Sequence, residues 1–268
     1  MIGAPNDTPM SHADAAKMPG HWILAKLGKR VLRPGGIELT RKMLTALNIG
    51  AEVDVIEFAP GLGATAKLTL ARSPASYTAV ERDETAAGIV RRYLSGSTQR
   101  CILASAQDTG LADQSSDVVY GEAMLSMQTD ALRAQIVREA SRLLRDGGRY
   151  GIHEMRLLPD DIDSHIRQEI ETGLTRAIHH RVAPLTTTEW RELLAKEGLG
   201  VCEVFTAPMH LLEPARLVAD EGLGGALRFG WNVLRNPSAR KRVLAMRDVF
   251  RRFSANIGAV AFVAVIGR

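Results

Sequence analysis

The chain has 268 residues, 46% of them hydrophobic and 24% charged, a balance that excludes a disordered or low-complexity protein and suits a full apolar core. Its formal net charge of +4 permits acidic partners without requiring them. Cys101 and Cys202 match no metal-ligand spacing, and the longest apolar run, 257–266, is too short to span a bilayer.

Residues 1–19 hold Pro5, Pro9 and Pro19 among small and polar residues and read as a flexible tail without a secretory signal. Residues 20–50 read as two helices. The first carries Trp22, Ile23, Leu27 and Val31 at helical spacing and is expected to stop at Pro34-Gly35-Gly36. The second, about 39–47, places Met43, Leu44 and Leu47 on one side. From residue 51 to 268 strands and helices alternate in one domain.

The stretch 53–81 organises that domain. An apolar run (Val53, Val55, Ile56, Phe58) breaks at Ala59-Pro60-Gly61-Leu62-Gly63, small residues open a helix, and a second strand ends in Glu81. Strand, glycine turn, helix, strand and terminal acid describe a βαβ unit suited to a nucleoside. Gly61 and Gly63 let the backbone turn sharply and approach a ligand closely. Glu81 is placed to accept hydrogen bonds from both hydroxyls of a ribose. A dinucleotide-binding turn usually has a third glycine where this chain has Ala66. Here Glu57 precedes the turn instead, and an anion there opposes pyrophosphate but suits an ammonium and a sulfonium. The spacing Glu57-x-Ala59-x-Gly61-x-Gly63 resembles the acid-x-Gly-x-Gly-x-Gly signature of class I S-adenosylmethionine-dependent methyltransferases, with Ala59 in place of the first glycine.

Downstream segments extend that resemblance. A helix is expected over 83–94 and a third strand over 100–104. Ser105 to Leu111 resembles the family's adenine-wrapping loop, with Ser105 where an acid is frequent, so the adenine contact falls to Gln107, Asp108 or backbone groups. Ser115 to Tyr120 resembles the entry to strand four, with Glu122 at its carboxyl end. A helix over 130–144 is expected to stop at Asp146-Gly147-Gly148, and Leu143 to Arg149 resembles the family's turn into strand five. The resemblance covers about 53–154. It implies a doubly wound α/β fold: a seven-stranded sheet ordered 3-2-1-4-5-7-6, mostly parallel with an antiparallel last strand, and helices on both faces. It also implies that Glu57, Ala59, Gly61, Gly63, Glu81, Arg82, Ala106, Gln107 and Glu122 bind S-adenosylmethionine, with S-adenosylhomocysteine as product.

Beyond strand five, a helix over 160–175, a capped helix through Lys196 and a sixth strand over 201–205 precede the last strand, 257–266. The intervening 208–255 read as a helical insertion between strands six and seven, interrupted at Gly222, Gly224 and Gly225. It is expected to be a lid or substrate-selecting cap, with dimerisation or plain packing as the other readings.

The resemblance implies an enzyme, expected to be cytoplasmic, that moves a methyl group from S-adenosylmethionine onto a small, partly apolar molecule by in-line displacement. Methyl transfer depends chiefly on alignment, so no catalytic residue is assigned. Met127, His153 and His180 are the substrate-facing candidates; adjacent His179 and His180 lack metal-ligand spacing, and no metal is expected. Between 228 and 252 eight basic residues face one acid, Asp248. That run leaves open an RNA methyltransferase, although aromatic residues are only 5% and no RNA-binding module accompanies it. A peripheral contact with an anionic membrane, a homodimer and a non-catalytic cofactor-binding module also stay open. Both cysteines are expected to be buried thiols in a reducing compartment.

Overall fold

The computed structural model describes residues 18–267, so the tail expected over 1–19 lies almost wholly outside the described residues. The chain opens with α1 (Gly20–Lys26) and α2 (Gly36–Ala46), followed by β1 (Asp54–Phe58), α3 (Ala64–Leu70) and β2 (Ser76–Glu81). Next come α4 (Glu84–Arg91), β3 (Gln99–Leu103), β4 (Ser116–Glu122), α5 (Asp130–Leu143) and β5 (Leu144–Leu157). The second half holds α6 (Ser164–Ile178), the short β6 (Leu185–Thr186), α7 (Thr187–Lys196) and β7 (Leu199–Pro208). Helices α8 (Pro214–Arg235) and α9 (Pro237–Arg252) then precede β8 (Ile257–Ile266).

The sheet order is β3-β2-β1-β4-β5-β8-β7, with β6 paired beside the end of β5. The strands from β1 to β5 run parallel, and β8 runs antiparallel to both β5 and β7. This is the expected order, since β7 and β8 are its sixth and seventh strands. Successive strand residues point to opposite faces. Val55, Val118, Ala261 and Val263 pack under α2, whereas Ile56, Val119 and Phe262 pack under α5 and α7. Because helices cover both faces, β8 is apolar throughout rather than alternating. A third apolar cluster joins α1, α6, α8 and α9 beyond the sheet's carboxyl edge.

Local chemistry moved several boundaries. Helix α1 ends before Gly28, whose φ of 101° leaves helical space, so the segment to Pro34 is irregular rather than helical. Asp83 is a cap and not a helical residue: its carboxylate accepts the Ala86 N–H at 2.8 Å. Asp163 likewise caps α6. Gly147 does not stop α5. Leu144 already pairs with Ser116, and 145–148 form an irregularity in β5 before Arg149 pairs with Val118. In α8 only Gly222 breaks the helical backbone, at φ 72° and ψ 167°. Cys101 is half-buried and Cys202 exposed, so the expectation of two buried thiols fails; Cys202 falls on the edge strand β7.

One side chain anchors α7. Trp190 is fully buried in the α5–α7 layer, and its indole N–H donates to the Met155 carbonyl at 3.1 Å. Trp190→Ala is expected to lower the unfolding free energy by about 3–5 kcal/mol, read from denaturant titration.

Candidate functional site

Parallel strands leave their carboxyl ends on one edge, and the sequence places an acid near four of them. Glu57 ends β1 but for one residue, Glu81 ends β2, Glu122 ends β4, and Glu154 lies in β5 one residue past His153, the partner of Glu122. Glu57, Glu81, Glu122 and Glu154 all line a cavity of about 350 Å³ at this edge.

The turn after β1 has three residues in left-handed space: Ala59, Gly61 and Gly63, at φ 51°, 55° and 72°. That conformation explains the preference for glycine there, and the Ala59 N–H holds the turn by donating to Val80 O at 2.8 Å. Gly61 and Ala59 line the cavity, but Gly63 does not. A Cβ on Gly63 would lie 2.7 Å from the Tyr93 ring, so its smallness serves packing behind the turn.

Glu81 is drawn into position by backbone donors. Its Oε2 accepts the Gly61 N–H at 3.1 Å, and its Oε1 accepts those of Arg82 and Asp83 at 2.9 and 3.0 Å. Arg82, Ala106 and Gln107 also line the cavity, whereas Asp108 is absent from its wall. The Asp108 N–H instead closes a turn onto Ser105 O at 3.1 Å.

Glu57 and Glu122 are both buried but are held in opposite states. Burial raises the Glu57 pKa to about 7, although the hydroxyls of Tyr77 and Tyr120, the latter at 2.6 Å, donate to its Oε2. Burial also acts to raise Glu122, but the Arg33 guanidinium 3.3 Å away, His153 and Thr40 outweigh it and bring the pKa to about 2. Thr40 Oγ1 donates to Glu122 at 2.6 Å, and Thr65 donates to the other oxygen. Glu154 accepts the backbone N–H groups of Met124, Leu125 and Ser126 at 2.8, 2.7 and 3.1 Å, fixing the turn after β4.

The substrate-facing candidates separate. Met127 and His180 line the cavity. His153 does not: it is fully buried, with Nδ1 2.8 Å from Glu122 and Nε2 2.6 Å from Pro34 O. Both ring nitrogens are therefore engaged, which corrects its expected exposure to substrate. Among the described residues no group of three or more His, Cys, Asp or Glu has metal-ligand geometry.

Sequence reasoning missed His21 and Arg33, which also line the cavity. Neither belongs to a motif; the turn between α1 and α2 delivers Arg33, and its proximity to Glu122 exists only in the folded chain. Arg33 donates through Nε to Thr40 at 2.5 Å, while its Nη2 is buried without a protein partner. Burial, then the nearby His180 and Arg82, lower the His21 pKa to about 4.

Comparison with known proteins places this geometry. The methyltransferase-domain family matches residues 56–152. An uncharacterized protein of Haemophilus influenzae is 28% identical over 253 residues, covering 92% of this chain and 96% of its own. Among solved structures, phosphoethanolamine N-methyltransferase 2 of Haemonchus contortus, bound to phosphomonomethylethanolamine and S-adenosylhomocysteine, aligns with TM-score 0.69. It is 12% identical, over 98% of this chain and 60% of that one. Geranyl diphosphate methyltransferase with S-adenosylmethionine aligns with TM-score 0.61 at 15% identity, over 85% of both chains. The [4+2]-cyclase SpnF aligns with TM-score 0.62 at 18% identity, over 85% of this chain and 80% of its own, so the architecture alone does not name a reaction. The match identifies residues 56–152 as a methyltransferase domain, and the acid-preceded glycine turn and the sheet order agree with the fold of class I S-adenosylmethionine-dependent methyltransferases.

Proposed function

We infer that the protein transfers a methyl group from S-adenosylmethionine to a small, partly apolar molecule by in-line displacement. The carrying observation is the cavity's division. Toward β2 and β3 its wall is polar, with Glu81, Arg82 and Gln107. Toward β5 and β7 it is apolar, with Trp22, Met127, Val182, Met209, Leu211 and Phe250. The apolar half suits an acceptor with hydrocarbon surface, and a cleft of about 350 Å³ favours a small molecule over a polymer.

Two features fit the cofactor. Glu81, already oriented by three backbone donors, would take the ribose hydroxyls. Arg33 Nη2, buried and without a protein partner, would take the carboxylate of the methionine moiety. Glu122, and Glu57 in its ionised form, supply negative charge that suits an ammonium and a sulfonium. S-adenosylmethionine, when bound, supplies a methyl group that needs no further activation. The chain's own task is to align the acceptor and exclude water, an effect worth roughly 7–11 kcal/mol in well-oriented systems. His180 stands at the wall as the candidate proton acceptor for a substrate that must lose a proton, while burial keeps His21 neutral and a weak base.

In this reading residues 208–255 are the substrate-selecting cap, since Met209, Leu211, Met246 and Phe250 wall the apolar half. The cap is pinned to the N-terminal segment by buried charge. Lys29 Nζ lies 3.2 Å from Asp220 and 3.6 Å from Glu221, and Glu221 accepts the N–H groups of Arg30 and Val31, both at 2.9 Å. A reducing, cytoplasmic setting accords with two unpaired cysteines.

Glu81→Ala is expected to weaken S-adenosylhomocysteine binding by roughly 1.5–3 kcal/mol in calorimetric titration. Unchanged affinity in the folded variant would overturn the ribose assignment. Glu57 gives a pH signature. Its folded pKa, about 7, exceeds the unfolded value near 4.5, so the native state binds the extra proton between those limits. Its contribution to stability is present below pH 4.5 and is lost as pH rises to about 7. Glu57→Gln, whose amide oxygen still accepts from both tyrosines, should therefore gain in Tm on the wild type across that window. The acceptor class is tested with methyl-labelled S-adenosylmethionine, offered separately a low-molecular-weight metabolite fraction and total RNA. Label in an organic-extractable small molecule is expected; label only in acid-precipitated RNA would contradict the assignment.

A further inference from the structure

Helix α8 turns an apolar face outward beyond its break at Gly222. Leu223, Leu227, Trp231 and Leu234 are 66%, 67%, 60% and 61% exposed. At 3.6 residues per turn these four share one stripe, while buried Phe229 and half-buried Val233 face the interior cluster. Scattered exposed leucines need no explanation, but a contiguous stripe of four large apolar side chains marks a contact surface. The helix is also intrinsically weak. Gly224 and Gly230 are poor helix formers, and a Cβ at either would meet open space, so no close packing requires glycine there. A contacting surface would firm up such a helix.

The charge around the stripe is one-sided. From Gly222 to Arg247 the chain has no acidic residue and six basic ones. Four of those, Arg228, Arg235, Arg240 and Lys241, are exposed. The Arg235 guanidinium lies 5.8 Å from the Trp231 ring centroid, joining the cationic rim to the apolar stripe.

We propose that this face docks the protein on an anionic lipid bilayer, with Leu223, Leu227, Trp231 and Leu234 entering the boundary between headgroups and acyl chains. Exposed arginines and Lys241 meet the lipid phosphates. An amphipathic helix lying in the interface has this composition: an apolar face with tryptophan and leucine, and basic residues at its margin. No helix among the described residues is long and apolar enough to cross a membrane, so the contact is peripheral. A second copy of the chain fits less well, because a two-fold contact centred on the stripe brings each cationic rim against its like. Nucleic acid would use the cations but leave the leucine stripe in water. The docked face belongs to the same helix pair whose inner side carries Met246 and Phe250 of the cavity wall. An acceptor drawn from the bilayer would thus arrive beside the apolar half of the cavity; the docking itself does not depend on that reading of the acceptor.

The test is co-sedimentation of the full chain with vesicles of phosphatidylcholine alone and of phosphatidylcholine mixed with phosphatidylglycerol. Binding is expected only to the mixed vesicles, weaker at high salt, with a blue shift in tryptophan fluorescence. Leu227→Glu with Trp231→Glu should reduce partitioning by at least about tenfold. Arg228→Gln and Arg235→Gln should each reduce it about fivefold. Unchanged S-adenosylhomocysteine binding verifies that the variants are folded. Absence of binding to anionic vesicles would overturn the proposal, as would undiminished binding by the Leu227/Trp231 variant. A concentration-dependent dimer that this variant dissolves, without vesicle binding, would assign the face to a second copy instead. Binding of RNA in place of vesicles, lost with Arg228 and Arg235, would equally overturn it.

Discussion

The Glu122 carboxylate is the point on which the site depends. Four elements converge on it: Arg33 from the α1–α2 turn, Thr40 from α2, Thr65 from α3 and His153 from β5. Burying a carboxylate at the end of a central strand is costly unless it is paired and hydrogen-bonded. Here its pairing does structural work, because the partners are the segments that close the cavity. His153 extends the chain of contacts to Pro34 O, so the N-terminal segment is clamped against β4 and β5 through one side chain.

Glu57 and Glu154 complete the cavity floor by other means. Glu57 receives neutral tyrosine hydroxyls, and burial raises its pKa to about 7, so it titrates near neutral pH. Glu154 receives three backbone donors and thereby shapes the turn that carries Met124, Ser126 and Met127. The same residue type thus serves as an ion-pair centre, a tunable acid and a backbone clamp. Environment, not composition, separates the roles.

The sequence made the sheet legible because its information is local. The acid-preceded glycine turn, the terminal Glu81 and the apolar β8 each follow from residue type at fixed spacing, and the order of strands followed from the family they resemble. Boundaries slipped where a single polar side chain decided them, as with Asp83 and Asp163 at caps. The Gly147 turn was misassigned because a helix stop and a strand irregularity use the same residue. Arg33 and His21 were invisible because they reach the cavity by tertiary packing alone. His153 was read by position as facing the ligand edge; nothing in its neighbours in sequence showed that Pro34 O and Glu122 would occupy both nitrogens. Arg228, Arg235, Arg240 and Lys241 stood out as a charge run, but the stripe of Leu223, Leu227, Trp231 and Leu234 gained meaning only once the fold left it uncovered.

We propose that the β1 turn and Glu81 take S-adenosylmethionine rather than a dinucleotide. Calorimetric titration of the purified protein with S-adenosylhomocysteine and with NADH tests it most directly. Saturable binding of the former with none of the latter is predicted. NADH binding without S-adenosylhomocysteine binding would contradict it.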